Sequence, residues 1–204
     1  MIILPKHNSD GILVDPSDPT YNWRDLEATE YPDPGGADAP QFSTFMTNIR
    51  GNSYQAGDKM DMRFHLPHDW KFGSDLYLHH HWSHNGTGIS GNAVIDSWAT
   101  FAKRGSVFPA AKNQTMTYNT VNIATTPQRI HRVDEIQLSI AGGSASLLDT
   151  DDIEVDGIIL VTVIFTSIPT ISGGSPNEPF LFRTDIHYQS TNIGTKAKAA
   201  PFYT

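Results

Sequence analysis

From Gln41 onward, the sequence consists of strand-length segments separated by residues that favour turns. The breaks between the segments are rich in glycine, proline, asparagine, aspartate and serine, and the chain contains 16 Gly and 13 Pro. About eight segments can be counted: 41–50, 59–66, 75–83, 92–103, 115–123, 129–140, 157–168 and 180–191. Many short strands with frequent turn signals predict an all-β fold, here a jelly-roll-like antiparallel β-sandwich.

Alternation of side chains assigns faces to the histidine-rich segment 75–83, because successive residues of a strand point to opposite sides. One face is predicted to carry Leu76, Leu78, His80 and Trp82, and the other Tyr77, His79, His81 and Ser83. His79 and His81 should therefore project side by side from the less aliphatic face.

The last two segments differ in their patterns. The segment 180–191 is predicted to have an apolar face of Phe180, Phe182, Ile186 and Tyr188 and an opposite face, toward solvent or a partner, of Arg183, Asp185, His187 and Gln189. The segment 157–168 is apolar on both faces, as expected of a central strand covered on two sides or of a strand at a subunit interface.

Residues 1–40 contain six prolines, at positions 5, 16, 19, 32, 34 and 40, so regular structure there should be short. We expect an extended, proline-rich N-terminal arm over 1–40, followed by the jelly-roll β-sandwich domain over 41–204. The apolar interruptions at 12–14 and 21–26 mark points where the arm docks. The sequence leaves open whether it docks on its own domain or on a neighbouring subunit.

Charge and composition exclude several classes of function. The net charge of -8 provides no broad basic surface, so we expect no nucleic-acid partner. There is no Cys, which excludes disulfides and thiolate chemistry. No apolar run is long enough for a signal peptide core or a membrane span, so we expect a soluble, non-secreted protein without a membrane partner.

The histidine-rich segment admits three interpretations. His79 and His81, with His187 as a third ligand, could bind a transition metal in a cupin-like metal-dependent enzyme, although the glutamate of the first cupin motif is absent. Alternatively, the histidines of three copies could hold one ion at a symmetry axis without catalysis. The third interpretation, which we favour, makes them polar surface or interface residues and predicts no cofactor.

Other features give no catalytic site. Serine, histidine and aspartate are too numerous for composition to single out a triad, and no nucleophile-elbow motif is present. The chain is therefore expected not to be an enzyme. Trp23, Trp70 and Tyr77, if exposed, could stack on sugars, which would make the protein a carbohydrate-binding appendage.

Three segments together resemble a family of small tailed-bacteriophage virion proteins. They are FHLPHDWKFGSDLYLHHHWS at 64–83, FRTDIHYQSTNIGTKAKAAPFY at 182–203 and YNWRDL at 21–26, and they cover about a quarter of the chain. The first resembles a family pattern of Phe-His-Ile/Leu-Pro-His-Asp followed by a strand with His-x-His-Trp, and the second resembles a closing Asp-Ile-His-Tyr-Gln pattern.

The resemblance implies a β-sandwich component of the virion, and we expect a homotrimeric capsid decoration or cement protein that binds the major capsid protein. Head, neck and tail positions all remain open, and assembly would occur in the cytoplasm of the host bacterium. No catalytic residues carry over. The motif residues are expected to be structural or interface positions: Tyr21, Trp23, His79, His81 and His187.

Overall fold

The computed structural model describes residues 6–7, 13–14, 21–32, 36–118 and 128–191. They form short and medium-length strands and one 3₁₀ helix, at Thr150–Asp152. The strands are β1 (Lys6–His7), β2 (Leu13–Val14), β3 (Asn22–Glu27), β4 (Thr29–Pro32), β5 (Gln41–Met46), β6 (Ile49–Ser53), β7 (Lys59–His65), β8 (Tyr77–Ser83), β9 (Gly88–Ser90), β10 (Ala93–Ala102), β11 (Lys112–Tyr118), β12 (Arg132–Gln137), β13 (Ser139–Ile140), β14 (Leu148–Asp149), β15 (Ile158–Ser167), β16 (Thr170–Ser172) and β17 (Phe180–Ser190). None of the described ranges contains a helix long and apolar enough to cross a membrane.

Two antiparallel sheets contain most of these strands. Sheet A has the order β11-β10-β15-β7-β4, and sheet B has the order β12-β8-β17-β6-β5 with β3 also paired to β17. The antiparallel pairs are nested along the chain: β10 with β11, β8 with β12, β7 with β15, and β6 with β17. This is the connectivity of one long hairpin folded over itself.

The inner faces of both sheets contribute to one continuous apolar core. Alternate residues of the strands are buried in it, as the period of two predicts. Sheet A contributes Met60, Met62, Phe64, Ile95, Ala99, Ile159, Val161, Val163 and Phe165, and sheet B contributes Leu78, Trp82, Leu181, Ile186 and Tyr188. Burial of apolar surface at roughly 25 cal/mol per Å² is the main force that holds such layers together. The predicted all-β antiparallel sandwich is therefore confirmed.

The predicted strand segments coincide in position with observed strands, but the boundaries of the strands differ. The segment 41–50 divides into β5 and the start of β6, because the chain turns at Asn48, which adopts a positive φ of 64°. The two-sided apolar segment becomes β15, the central strand of sheet A, with one face buried and the other mostly half-buried. Residues 119–123 of another predicted strand lie outside the described residues.

Residues 21–32 belong to the sheets. Strand β3 pairs with β17 in sheet B, and β4 pairs with β7 in sheet A. Of the two docking partners that the sequence left open, the structure gives this chain's own sandwich for the segment 21–26. The second docking segment, 12–14, contributes β2, which pairs with β1. The domain boundary at residue 40 stays a prediction.

The strict alternation predicted for the last strand is wrong, because β17 contains a β-bulge. Leu181 lies opposite Trp82 and Arg183 lies opposite His81, so one extra residue separates the two pairs. Leu181 consequently faces the core between the sheets, whereas Phe180 is buried on the other face of sheet B beside Phe45, and Phe182 is 39% exposed. The predicted outward position of Asp185 is correct, yet its side chain is fully buried.

Candidate functional site

The outer face of sheet B carries a cluster of histidines and carboxylates, which we call the histidine cluster: His79, His81, His131, Glu135, Arg183, Asp185 and His187. Strand β8 lies between β12 and β17, and its His79 is directly opposite Glu135 on one side and Asp185 on the other. Cross-strand neighbours of this kind have Cβ atoms about 5 Å apart, within reach of their side chains. The sequence-predicted pairing of His79 and His81 on one face is confirmed, with ring centroids 6.2 Å apart.

His79 contacts a carboxylate through each ring nitrogen. Its Nε2 lies 2.7 Å from Oε2 of Glu135, and its Nδ1 lies 3.6 Å from Oδ1 of Asp185. The same Oε2 of Glu135 is 3.6 Å from Nδ1 of His187, whose ring centroid is 4.4 Å from that of His79. Glu135 therefore bridges two imidazoles from neighbouring strands.

Asp185 is the most buried member of the cluster, with 0% of its surface exposed. Its Oδ2 forms an ion pair with Nε of Arg183 at 2.8 Å and lies 3.0 Å from Nε2 of His81. Within the described residues, neither carboxylate oxygen accepts a hydrogen bond of acceptable geometry. Arg183 extends the network to Glu27 of β3 through an Nη1 to Oε1 contact of 3.0 Å. A buried carboxylate requires such counter-charges, because its desolvation is costly.

His81 forms the other end of the cluster. Its Nδ1 is 3.0 Å from Nε2 of His131, and the two rings are stacked. Burial lowers the pKa of His81, the carboxylate of Asp185 opposes this shift, and the neighbouring His131 and Arg183 add to it. His81 therefore tends toward the neutral form, in which one ring nitrogen can accept a hydrogen bond or bind a metal.

The aromatic residues singled out in the sequence have different environments. Trp23 is exposed and packs beside the histidine cluster, with its ring 4.7 Å from His187 and 5.8 Å from Tyr77 between centroids. Tyr21 instead lies under the ammonium group of Lys71, at 4.4 Å. Trp70 is only 1% exposed, so the suggestion that it stacks on a sugar is wrong.

The three histidines predicted as one ligand set divide between two groups, each completed by a carboxylate. One group is His79, Glu135 and His187, and the other is His79, His81 and Asp185; within each, the ligand atoms lie within 4.8 Å of one another. Glu135 and Asp185 were missed as potential ligands, because only the pairing of β12, β8 and β17 brings them to His79. Asp185 could have been suspected from its place two residues before His187.

These groups do not have the position of a cupin centre, whose ligands point into the barrel. They lie on the outer face of sheet B, whereas Leu78 and Trp82 of the same strand face the core. A surface cleft lined by residues within 101–112 and 142–152 contains none of the clustered histidines.

A second surface feature lies at the β5–β6 hairpin, where apolar side chains are exposed. They are Met46 and Ile49 on the hairpin and Phe182 on the adjoining bulge of β17, all on the outer face of sheet B, together with Phe42 at the edge of the inner face, where it lies opposite Asn52 and next to Leu181 in register. Phe45 packs edge-on against Phe180 and Phe182, at centroid distances of 5.1 and 4.9 Å. We call this group, with Phe45, the hairpin patch.

Comparison with known proteins identifies no family. No protein-family model matches the chain, and no curated protein matches it. Among solved structures, it is similar to dimeric latent PorU from Porphyromonas gingivalis, with 13% sequence identity and a TM-score of 0.33. The match covers 83% of this chain and 13% of that chain. A likeness at this level carries no argument about function.

Proposed function

We propose that this protein is a structural subunit of a tailed-phage virion, a capsid decoration or cement protein that forms a trimer and binds the major capsid protein. The observation that carries the proposal is the hairpin patch at the edge of sheet B. The family resemblance of the motifs at 21–26, 64–83 and 182–203 supplies the virion context.

The hairpin patch has two properties of an association surface. First, Phe42 is 58% exposed, and Met46 and Ile49 are also exposed on the same hairpin. Exposed groups of large apolar side chains mark protein interaction sites on soluble proteins. Second, β5 is the terminal strand of its sheet in the described residues, and an edge strand is a surface to which a partner strand can pair. The carbonyl oxygens of Phe42 and Thr44 already accept side-chain hydrogen bonds from Arg50 and Asn85, so a partner strand would use the other backbone groups of this edge.

The proposal fits the remaining surface chemistry. A structural subunit requires no catalytic centre, and its contacts combine an apolar centre with a polar rim. On the hairpin, Arg50 provides a polar group beside the patch, since its guanidinium lies 4.4 Å above the Phe42 ring and donates a hydrogen bond to the Phe42 carbonyl oxygen. The net charge of -8 favours a partner surface with basic residues.

The test is a double variant, Phe42→Ser with Ile49→Ser, compared with the double control Phe72→Ser with Val107→Ser. Phe72 is 56% exposed, nearly the same as Phe42, and Val107 is also exposed, but neither belongs to the hairpin patch. Sedimentation velocity measures the oligomer, and co-sedimentation with phage heads assembled without this protein measures capsid binding.

We expect the wild type and the control to be trimers that bind heads, and the hairpin variant to be a folded monomer that does not. A wild-type protein that remains monomeric at its highest soluble concentration and does not bind heads would overturn the proposal. Trimers and head binding that survive in the hairpin variant would show that the contact lies elsewhere on the molecule and would remove the observation on which the proposal rests.

A further inference from the structure

We propose that the histidine cluster binds one divalent transition-metal ion per chain, through Nε2 of His79, Oε2 of Glu135 and Nδ1 of His187, and that Asp185 positions His79 for this role. The site would join three neighbouring strands of sheet B. It is independent of the hairpin patch.

The three ligand atoms already lie close to coordination geometry. Oε2 of Glu135 is 2.7 Å from Nε2 of His79 and 3.6 Å from Nδ1 of His187, and all three atoms lie within 4.8 Å of one another. Metal bonds of about 2.1 Å at tetrahedral angles separate ligand atoms by roughly 3.4 Å. The shorter separation would have to widen by about 0.7 Å, and none would have to shorten by more than about 1.4 Å, to bring the atoms around an ion.

The position of Asp185 is a second, independent indication of a metal ligand. Its carboxylate is completely buried; Oδ2 pairs with Nε of Arg183 at 2.8 Å, whereas Oδ1 accepts no hydrogen bond within the described residues and lies 3.6 Å from Nδ1 of His79. A metal-binding histidine usually donates its other ring N–H to a carboxylate, which fixes the tautomer and orientation of the ring. Asp185 is placed to accept that N–H when Nε2 of His79 binds the ion.

The alternative group of His79, His81 and Asp185 suits an ion less well. Its carboxylate oxygen Oδ2 is already 2.8 Å from Nε of Arg183. An ion bound there would lie beside the guanidinium, and the two positive charges would repel each other. In the proposed site, Asp185 stands between Arg183 and His79, so the arginine compensates the buried carboxylate without facing the ion.

The ligand chemistry defines the class of ion. Two imidazoles and one carboxylate suit Zn²⁺, Fe²⁺, Co²⁺, Ni²⁺ or Cu²⁺ rather than Mg²⁺ or Ca²⁺, which prefer oxygen ligands throughout. Glu135 is exposed and His187 is partly exposed, which leaves open positions for water or for a group from another molecule. Trp23, whose ring is 4.7 Å from that of His187, covers one side of the site.

The experiment uses the full-length protein without a histidine tag, treated with EDTA and then titrated with Co²⁺ and Zn²⁺. Calorimetry gives affinity and stoichiometry, the visible d–d absorption of Co²⁺ reports nitrogen and oxygen coordination, and native mass spectrometry gives ions per chain. We expect one ion per chain and a rise in the thermal unfolding midpoint with Zn²⁺.

Four variants assign the ligands. His187→Ala and Glu135→Gln are expected to lose stoichiometric binding, and both replace side chains that are not fully buried, so the fold should persist. His81→Ala should retain binding, because His81 belongs only to the other group. The matched control is His65→Ala, since His65 forms a similar pair with Asp156, at 2.8 Å, outside the cluster.

The role of Asp185 is tested by Asp185→Asn, which should weaken Co²⁺ binding roughly 10- to 100-fold while keeping the stoichiometry and the d–d spectrum.

The proposal is overturned if the wild type binds no ion, if one ion is shared by three chains, or if His187→Ala binds as the wild type does. Loss of binding in His81→Ala together with retention in Glu135→Gln would assign the ion to the other group instead. Because the hairpin variant retains every ligand, failure of the assembly proposal would leave these expectations unchanged.

Discussion

Acidification is expected to destabilise the fold through His80, the histidine of β8 that faces the core. Its side chain is completely buried, Nδ1 is 3.0 Å from Oγ1 of Thr184, and Nε2 has no hydrogen-bond partner within the described residues. A protonated imidazole has two N–H donors and a positive charge, and this site can satisfy only one donor. Burial, together with the neighbouring His79 and His81, therefore lowers the pKa of His80 to about 3.

The magnitude follows from proton linkage. In the unfolded chain, His80 titrates near its usual pKa of about 6.5, so below this pH the unfolded state binds a proton that the folded state does not. Because the folded pKa is the lower one, the stability is fully present above pH 6.5 and is lost as the pH falls toward 3. The loss approaches about 1.4 kcal/mol per pH unit, which gives about 2 kcal/mol between pH 7 and pH 5.

Urea unfolding at pH 7 and pH 5 measures this loss in the wild type, in His80→Leu and in the exposed control His65→Ala. His80→Leu leaves Thr184 Oγ1 without its partner, a cost that is the same at both pH values and cancels in the comparison. The contribution of His81 to pH dependence is present in all three proteins and also cancels. We expect the free-energy difference between the two pH values to shrink by about 2 kcal/mol in His80→Leu only. Equal differences in all three proteins would refute the reasoning.

Two further predictions concern the attachment of residues 21–32 and the end of β17. Asp69 accepts hydrogen bonds from Tyr188 at 3.2 Å and Ser190 at 2.5 Å, so Asp69→Ala should lower the free energy of unfolding by about 1–3 kcal/mol. It should also bring the pKa of Tyr188 down from about 12, which ultraviolet titration measures; an unchanged Tyr188 pKa would contradict this. Deletion of residues 1–32 should lower the urea midpoint relative to deletion of residues 1–20, because only the longer deletion removes β3 and β4. Equal midpoints would show that these strands add no stability.

The strands that could be predicted are those whose alternation reflects burial on one face. In β7, the residues Met60, Met62 and Phe64 alternate with polar ones, and the pattern alone places them in the core. Strand β3 has no such pattern, since Leu26 is its only described residue packed against the core. Its pairing with β17 depends on backbone hydrogen bonds to a segment more than 150 residues away, which no local pattern encodes.

The histidine cluster could be predicted in part for the same reason. Alternation within one strand is a local property, so the shared face of His79 and His81 follows from the sequence. The positions of Glu135 and Asp185 depend on the register between strands, and a shift of one residue in either strand would move the carboxylate to the other face. The ligand set was therefore predicted as histidines alone.

The bulge in β17 places Phe180 and the outer-face members of the hairpin patch, which exclude Phe42, on the same face of sheet B as the histidine cluster. Phe180 lies opposite Ser83 and Arg183 lies opposite His81, and both of these partners are on the outer side of β8. Without the extra residue, Phe180 and Asp185 would lie on opposite faces of the sheet. Phe180 and the phenylalanine rings that pack on it would then be separated from the histidine cluster by the sheet. From Phe182 to His187 the strand rises roughly 16 Å, so the hairpin patch and the proposed metal ligands are separate groups of side chains. Loss of the ion should therefore leave association through the hairpin intact, and loss of association should leave metal binding intact.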